Sequence, residues 1–140
     1  MRGALAGALA AAAWQACDPV FKRLSGSPYS DAELLGPFIA RGRYEWVANL
    51  ATHSAGGAAF GHAFERLGGR GVRAGVTAAL AENTLLWPAI GLVELAHPKR
   101  RDGTWPRLVS SPRAFASATL GHAFFGALLG LGTTGPRVRG

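Results

Sequence analysis

HSAGGAAFG at positions 53–61 and HAFFGALLG at positions 122–130 share one pattern: a histidine, then glycines four and eight residues later. Four residues advance an α-helix by about 400°, so such positions drift only ~40° per step and stay on one face. Gly57 and Gly61, and Gly126 and Gly130, therefore form smooth stripes against which a second helix backbone can lie, each headed by a histidine. The small-residue spacing recurs in Gly3, Gly7 and Ala11 and in Gly71, Gly75 and Ala79. Small faces at four places along the chain predict a tightly packed helical bundle.

Composition sets the medium. Of 140 residues, 49% are apolar and only 16% charged, against roughly 25% charged in an ordinary soluble domain. Twenty glycines accompany abundant alanine, and such residues drive helix association where lipid removes the hydrophobic incentive. The net charge of +7 is spread in short clusters between apolar stretches. Basic residues flank membrane helices in this way, and no stacking platform or zinc-finger spacing accompanies them. Anionic lipid headgroups are the expected electrostatic partner, and nucleic acid is not. Cys17 is the only cysteine, which excludes an internal disulfide and a cysteine zinc site.

Four apolar segments, at about 3–21, 44–67, 72–96 and 114–131, each approach the ~20 residues needed to cross ~30 Å of hydrocarbon. The expectation is an all-α, four-helix transmembrane bundle forming a single domain, multi-pass in a bacterial cytoplasmic membrane. The first segment reads as an uncleaved helix, because Trp14 and Gln15 suit a signal-peptidase site poorly. Tyr44, Trp46, Trp87 and Trp105 stand near segment ends as an aromatic belt would. In the 22–43 linker, Ser30 and Glu33 make a capping-box pattern ahead of Leu34, Leu35, Phe38 and Ile39. This predicts a short interfacial helix between the first two spans. The 97–113 linker, rich in proline and basic residues, reads as irregular surface chain. Nine basic residues fall in these two linkers and six on the other side (Arg2, Arg66, Arg70, Arg73, Arg137 and Arg139), which leans both termini out of the cytoplasm.

An offset of 69 residues superposes more than the histidines: Pro19 on Pro88, Pro37 on Pro106, Trp46 on Phe115. Tandem halves 1–70 and 71–140 would place His53 and His122 at equivalent depths. Polar groups inside a bilayer are costly and are functional candidates. Here they are His53, His122, Glu82, Asn83, Asn49, one turn before His53, and Asp18 at the end of the first segment. His62 points to the opposite side of its helix from His53.

Three readings follow for these residues. The histidines can make interhelical hydrogen bonds in a structural protein; with Glu82 they can relay protons; or they can be the axial ligands of haem b, with Gly57 and Gly126 making room. Gly7, Gly75, Gly57, Gly61, Gly126 and Gly130 are most economically helix-packing positions. Glu94 and His97 form half of a di-iron motif whose other half is missing, and no metal site is expected.

The last segment, AFASATLGHAFFGALLG, follows a Trp-Pro helix (LLWPAIGL) and a Pro-rich basic loop, PKRRDGTWPRLVSSPR. With the start GALAGALAAAAWQACDP, it resembles the YagU-like small bacterial inner-membrane proteins. The resemblance implies location and architecture and carries no catalytic residues. The expected function is that of a non-enzymatic membrane component with a structural or partner-binding role, in a homo-oligomer or with a membrane-protein partner. The alternative is a small transporter or proton-responsive protein using Glu82 with His53 and His122. The membrane reading predicts that the protein sediments with membranes through a high-salt, high-pH wash and enters solution only with detergent; recovery in the aqueous wash would overturn it.

Overall fold

The computed structural model describes residues 1–134; Arg137 and Arg139 lie outside them. Among the described residues the chain is helical, with no strand. Four long helices dominate: α1 (Arg2–Ser25), α3 (Glu45–Arg66), α4 (Gly71–Ala96) and α6 (Pro112–Gly132). Two one-turn helices, α2 (Gly36–Ile39) and α5 (Pro98–Arg101), lie in the linkers. Of the long helices, α1, α4 and α6 are long and apolar enough to cross a membrane. The α3 sequence falls short because Asn49, His53, Ser54 and His62 dilute its apolar residues.

The helix ends have local causes. Gly26, in the left-handed conformation at φ 62°, returns its N–H to the Lys22 carbonyl and stops α1. Glu65, near the end of α3, accepts the Gly3 N–H at 2.9 Å and so serves the N-terminus of the antiparallel neighbour α1. The start of α6 has Ser111 accepting the Ala114 N–H at 3.2 Å, with Pro112 following it where a missing N–H costs nothing.

The glycine stripes set the packing. A Cβ on Gly7 would overlap the Gly57 carbonyl, and one on Gly3 the Gly61 carbonyl. A Cβ on Gly75 would overlap the Gly126 carbonyl, and one on Gly130 the Gly71 carbonyl. Thus α1 and α3 meet backbone to backbone, and α4 and α6 do the same with the same kind of contact. The two pairs join through α1 and α6, where Trp14 lies on Gly121, a position that any larger residue would deny it. The buried core there is Ala10, Ala11, Trp14, Phe64, Ala79, Phe125 and Leu129. The spatial order is α3, α1, α6, α4, so α3 and α4 stand on the flanks and scarcely touch. Leu85, Leu86, Leu92 and Leu95 of α4, and Leu5, Leu9, Val20 and Leu24 of α1, are exposed, an outward surface suited to lipid.

The linkers differ from the expectation. The 22–43 segment forms no lasting interfacial helix. It holds a 3-10 turn, Asp31–Glu33, then the single turn of α2, and Ser30 makes no side-chain cap hydrogen bond. Ala32, Gly36 and Pro37 are buried against the bundle, while Leu35, Phe38 and Ile39 remain exposed. The 97–113 segment is no surface strand of chain either. His97, Trp105 and Leu108 are fully buried, Trp105 faces Tyr29 edge to face at 5.0 Å, and His97 stacks on Trp105 at 4.0 Å. Together the linkers make a second apolar core, with Ala114 and Ala118 of α6, that caps one end of the bundle. Trp105 accordingly belongs to the cap's interior rather than to an aromatic belt, whereas Tyr44 and Trp46 are exposed as a belt requires.

Gly57→Val and Gly126→Val are each expected to destabilise by about 1–3 kcal/mol or more, since the facing backbone cannot yield. Gly56→Ala, which meets open space, should shift stability by less than ~0.5 kcal/mol. Thermal unfolding in detergent measures both.

Candidate functional site

Each long helix sends a side chain to the middle of the bundle. Trp14 comes from α1, His53 from α3, Glu82 and Asn83 from α4, and His122 from α6. The Trp14 indole meets His53 at 4.7 Å and His122 at 4.8 Å, both edge to face. The helix that carries Trp14 stands between the two that carry the histidines. His53 and His122 are thus brought to one site, onto a shared indole rather than onto each other.

The two imidazoles differ in their partners. His122 has Nδ1 2.8 Å from the Ala118 carbonyl and Nε2 2.9 Å from Glu82 Oε2. A carbonyl only accepts, so Nδ1 carries hydrogen, and the contact between Nε2 and the carboxyl must then hold one proton between them. His53 Nε2 is buried without a hydrogen-bond partner. Asn83 is buried and donates to Thr119 Oγ1 at 3.2 Å, an interhelical bond from α4 to α6 worth on the order of 1 kcal/mol.

A residue that the helical pattern did not single out joins them. The cap brings Asp31 down so that its Oδ2 is 3.7 Å from His122 Nδ1, too far for a hydrogen bond. Its Oδ1 accepts from the Tyr29 hydroxyl, and Oδ2 is buried with no donor. Burial raises the Asp31 carboxyl above the usual carboxylate range, against the pull of His122 and of the Tyr29 hydrogen bond. Burial, followed by the charge of Asp31, pushes the Tyr29 phenol well above its ordinary value.

Trp14, Asp31, His53, Glu82, Asn83 and His122 line one side of a cavity of about 230 Å³ between α3 and α4. Its other walls are apolar: Leu34, Leu35, Phe60, Leu86, Trp87, Ile90 and Phe125. Glu82 is about one-third exposed and stands at its edge.

Two sequence candidates lie elsewhere. Asn49 is buried beneath Gly36 of α2, whose missing side chain makes room for it, and does not line the cavity. Asp18 pairs with Lys22 at 2.9 Å and belongs to the cap's anchor. There Lys22 also reaches Glu33 at 2.9 Å, and Lys99 reaches Glu33 at 2.7 Å and Glu45 at 3.1 Å. The chain's only two lysines are thus bridged by one carboxylate, tying α1, the 3-10 turn, α5 and α3 together. Glu94 accepts the Leu108 N–H and His97 Nδ1 accepts the Lys99 N–H at 3.2 Å, so both members of the half di-iron pattern serve the cap. His62 is exposed.

The haem reading does not fit these residues. Both ring nitrogens of His122 are engaged. Trp14 occupies the level between the histidine helices, and Gly57 and Gly126 are filled by the backbones of Gly7 and Gly75. Comparison with known proteins adds no relative: no family model, characterised protein or solved structure matches the chain.

Burial alone would raise the Glu33 carboxyl, but hydrogen bonds and charge from Lys99 and Lys22 outweigh it and hold it below the ordinary 4.5. A carboxylate held lower in the folded state adds stability above its unfolded value, and that stability is lost as pH falls through the lower folded one. Melting temperature in detergent should therefore fall below about pH 4.5. Glu33→Gln should cost about 1–2 kcal/mol at neutral pH and flatten that acid limb.

Proposed function

We propose that this chain is a non-enzymatic integral protein of a bacterial cytoplasmic membrane, a small transporter or proton-responsive component. Its working group is His122 with Glu82 and Asp31. The observation that carries this reading is the 2.9 Å contact between His122 Nε2 and Glu82 Oε2, on the wall of a cavity that reaches the flank of the bundle.

A carboxyl and an imidazole sharing a proton at this depth form a site that can load and release it with little rearrangement, because imidazole titrates near neutrality. The groups that bias the exchange are all nearby. Around His122 and Glu82 stand His53, across Trp14, and Asp31, whose carboxyl accepts from the Tyr29 hydroxyl. Intramembrane ionisable groups that line a cavity mark ion or substrate routes as a rule. The like-for-like glycine contacts of α1 with α3 and of α4 with α6 support an origin by duplication of a two-helix unit, which would account for two histidines at one level. The basic linkers and the likeness to YagU-like proteins support the bacterial inner membrane.

In proteoliposomes carrying an internal pH dye, Glu82→Gln and His122→Phe should each reduce proton flux at least tenfold, with unchanged helicity and melting. Equal flux in wild type and both variants, or none in any, would sink the transport reading. The structural role would then stand, in which His53→Ala and His122→Ala alter assembly alone.

A further inference from the structure

The cavity between α3 and α4 has two unlike halves. One end holds two carboxyl groups, Asp31 and Glu82, and the walls are hydrocarbon and aromatic rings. His122 is the imidazole that contacts these carboxyls, and both of its nitrogens are committed, to the Ala118 carbonyl and to Glu82. Asp31 Oδ2 is left buried without a donor, 3.7 Å from the nearest imidazole nitrogen. A buried carboxyl oxygen with no donor is costly, and a cationic head at this end of the cavity would offset that cost. The polar end thus has two carboxyl groups against the one imidazole that contacts them.

The walls fit the rest of such a ligand. Leu34, Leu86 and Ile90 offer hydrocarbon, and Trp14, Trp87 and Phe60 add aromatic rings, a residue type whose faces attract a cation when water is excluded. The volume of about 230 Å³ is below the ~300–1,000 Å³ of pockets for drug-sized molecules. The ligand is therefore small, a one-ring or short-chain amine. Because α3 and α4 scarcely touch, and Leu35, Gly56 and Leu86 in the lining are exposed, entry is from the flank.

We propose that this cleft binds a small amphipathic organic cation, its ammonium head against Asp31 and Glu82 and its apolar body along Leu34, Leu86 and Ile90. The inference deepens the proposed function and rests on the same cleft being the working site. Asp31 and the cap are then parts of a binding site.

The test uses the full chain in detergent and benzyltrimethylammonium, whose charge is permanent and whose single ring suits the cavity. Calorimetry and tryptophan emission should report one saturable site per chain. Asp31→Asn and Glu82→Gln should each raise the Kd at least tenfold, and Leu86→Trp, which fills the apolar wall, should abolish binding. Benzyl alcohol, uncharged, should bind at least tenfold more weakly. Should Asp31→Asn lose its helical signal or its melting transition, Glu82→Gln decides alone, since Glu82 sits at the edge. No saturable binding, or a Kd unchanged by the loss of either carboxylate in a folded variant, would overturn the inference. Proton flux without cation binding defeats this inference and spares the transport reading. Cation binding without flux does the reverse.

Discussion

Backbone against backbone contact at glycine is the constraint from which the rest of the architecture follows. In lipid, helices gain little from burying leucine against one another, so close approach and dispersion must hold them. Gly7 on Gly57 and Gly75 on Gly126 achieve this within each pair. A pair so closely set has small residues on the contacting faces and must place its larger side chains at the margins. Trp14 is the largest of these, and it fits between the pairs only because position 121 is glycine. The indole then keeps α3 and α6 apart at its own level, and with α3 and α4 on the flanks a cleft is the geometrical remainder. The cavity is thus a product of the same glycines that make the bundle tight.

The cap completes the site from outside the bundle. Its core of Tyr29, Trp105, Leu108 and His97 is fully buried, and the ion-pair chain through Glu33 joins both linkers to α1 and α3. That order is needed if Asp31 is to be held within reach of His122, because a loose linker would let its carboxyl turn to water. Ser117 contributes from α6, its hydroxyl donating to the Tyr29 carbonyl at 3.2 Å. Electrostatics at the site therefore depends on apolar packing some residues away.

What could be read from the sequence follows from what helical periodicity encodes. Helical spacing placed the glycines on helix faces and set His62 aside, and polarity within apolar segments made His53, His122, Glu82 and Asn83 candidates. It did not say which face meets which, so Gly57 and Gly126 could be imagined as room for a macrocycle until Gly7 and Gly75 were seen in that room. Periodicity reports depth and direction on one helix, and the presence of Trp14 between two histidines is a relation among three. The linkers hid more. A 22-residue connection has no period, and the Ser30–Glu33 pattern suggested a helix start where tertiary contacts of Tyr29 and Ala32 impose a single 3-10 turn. Asp31 was missed for that reason. The available signal was aromatic: Tyr29 and Trp105, each in a linker rich in proline, glycine and charge, have apolar surface that only a folded cap can bury.

The two lysines show how the chain divides its positive charge. Thirteen of its fifteen basic residues are arginine, yet the cap's ion-pair chain is built on Lys22 and Lys99. An ammonium is a compact point charge with three rotatable donors, able to sit among carboxylates that approach from different elements, whereas a guanidinium is a flat fork suited to one planar partner. Lys22 meets Asp18 and Glu33, and Lys99 meets Glu33 and Glu45, each pair of acids arriving from separate parts of the chain. Lysine in this protein works as a joint, while arginine supplies most of its positive charge.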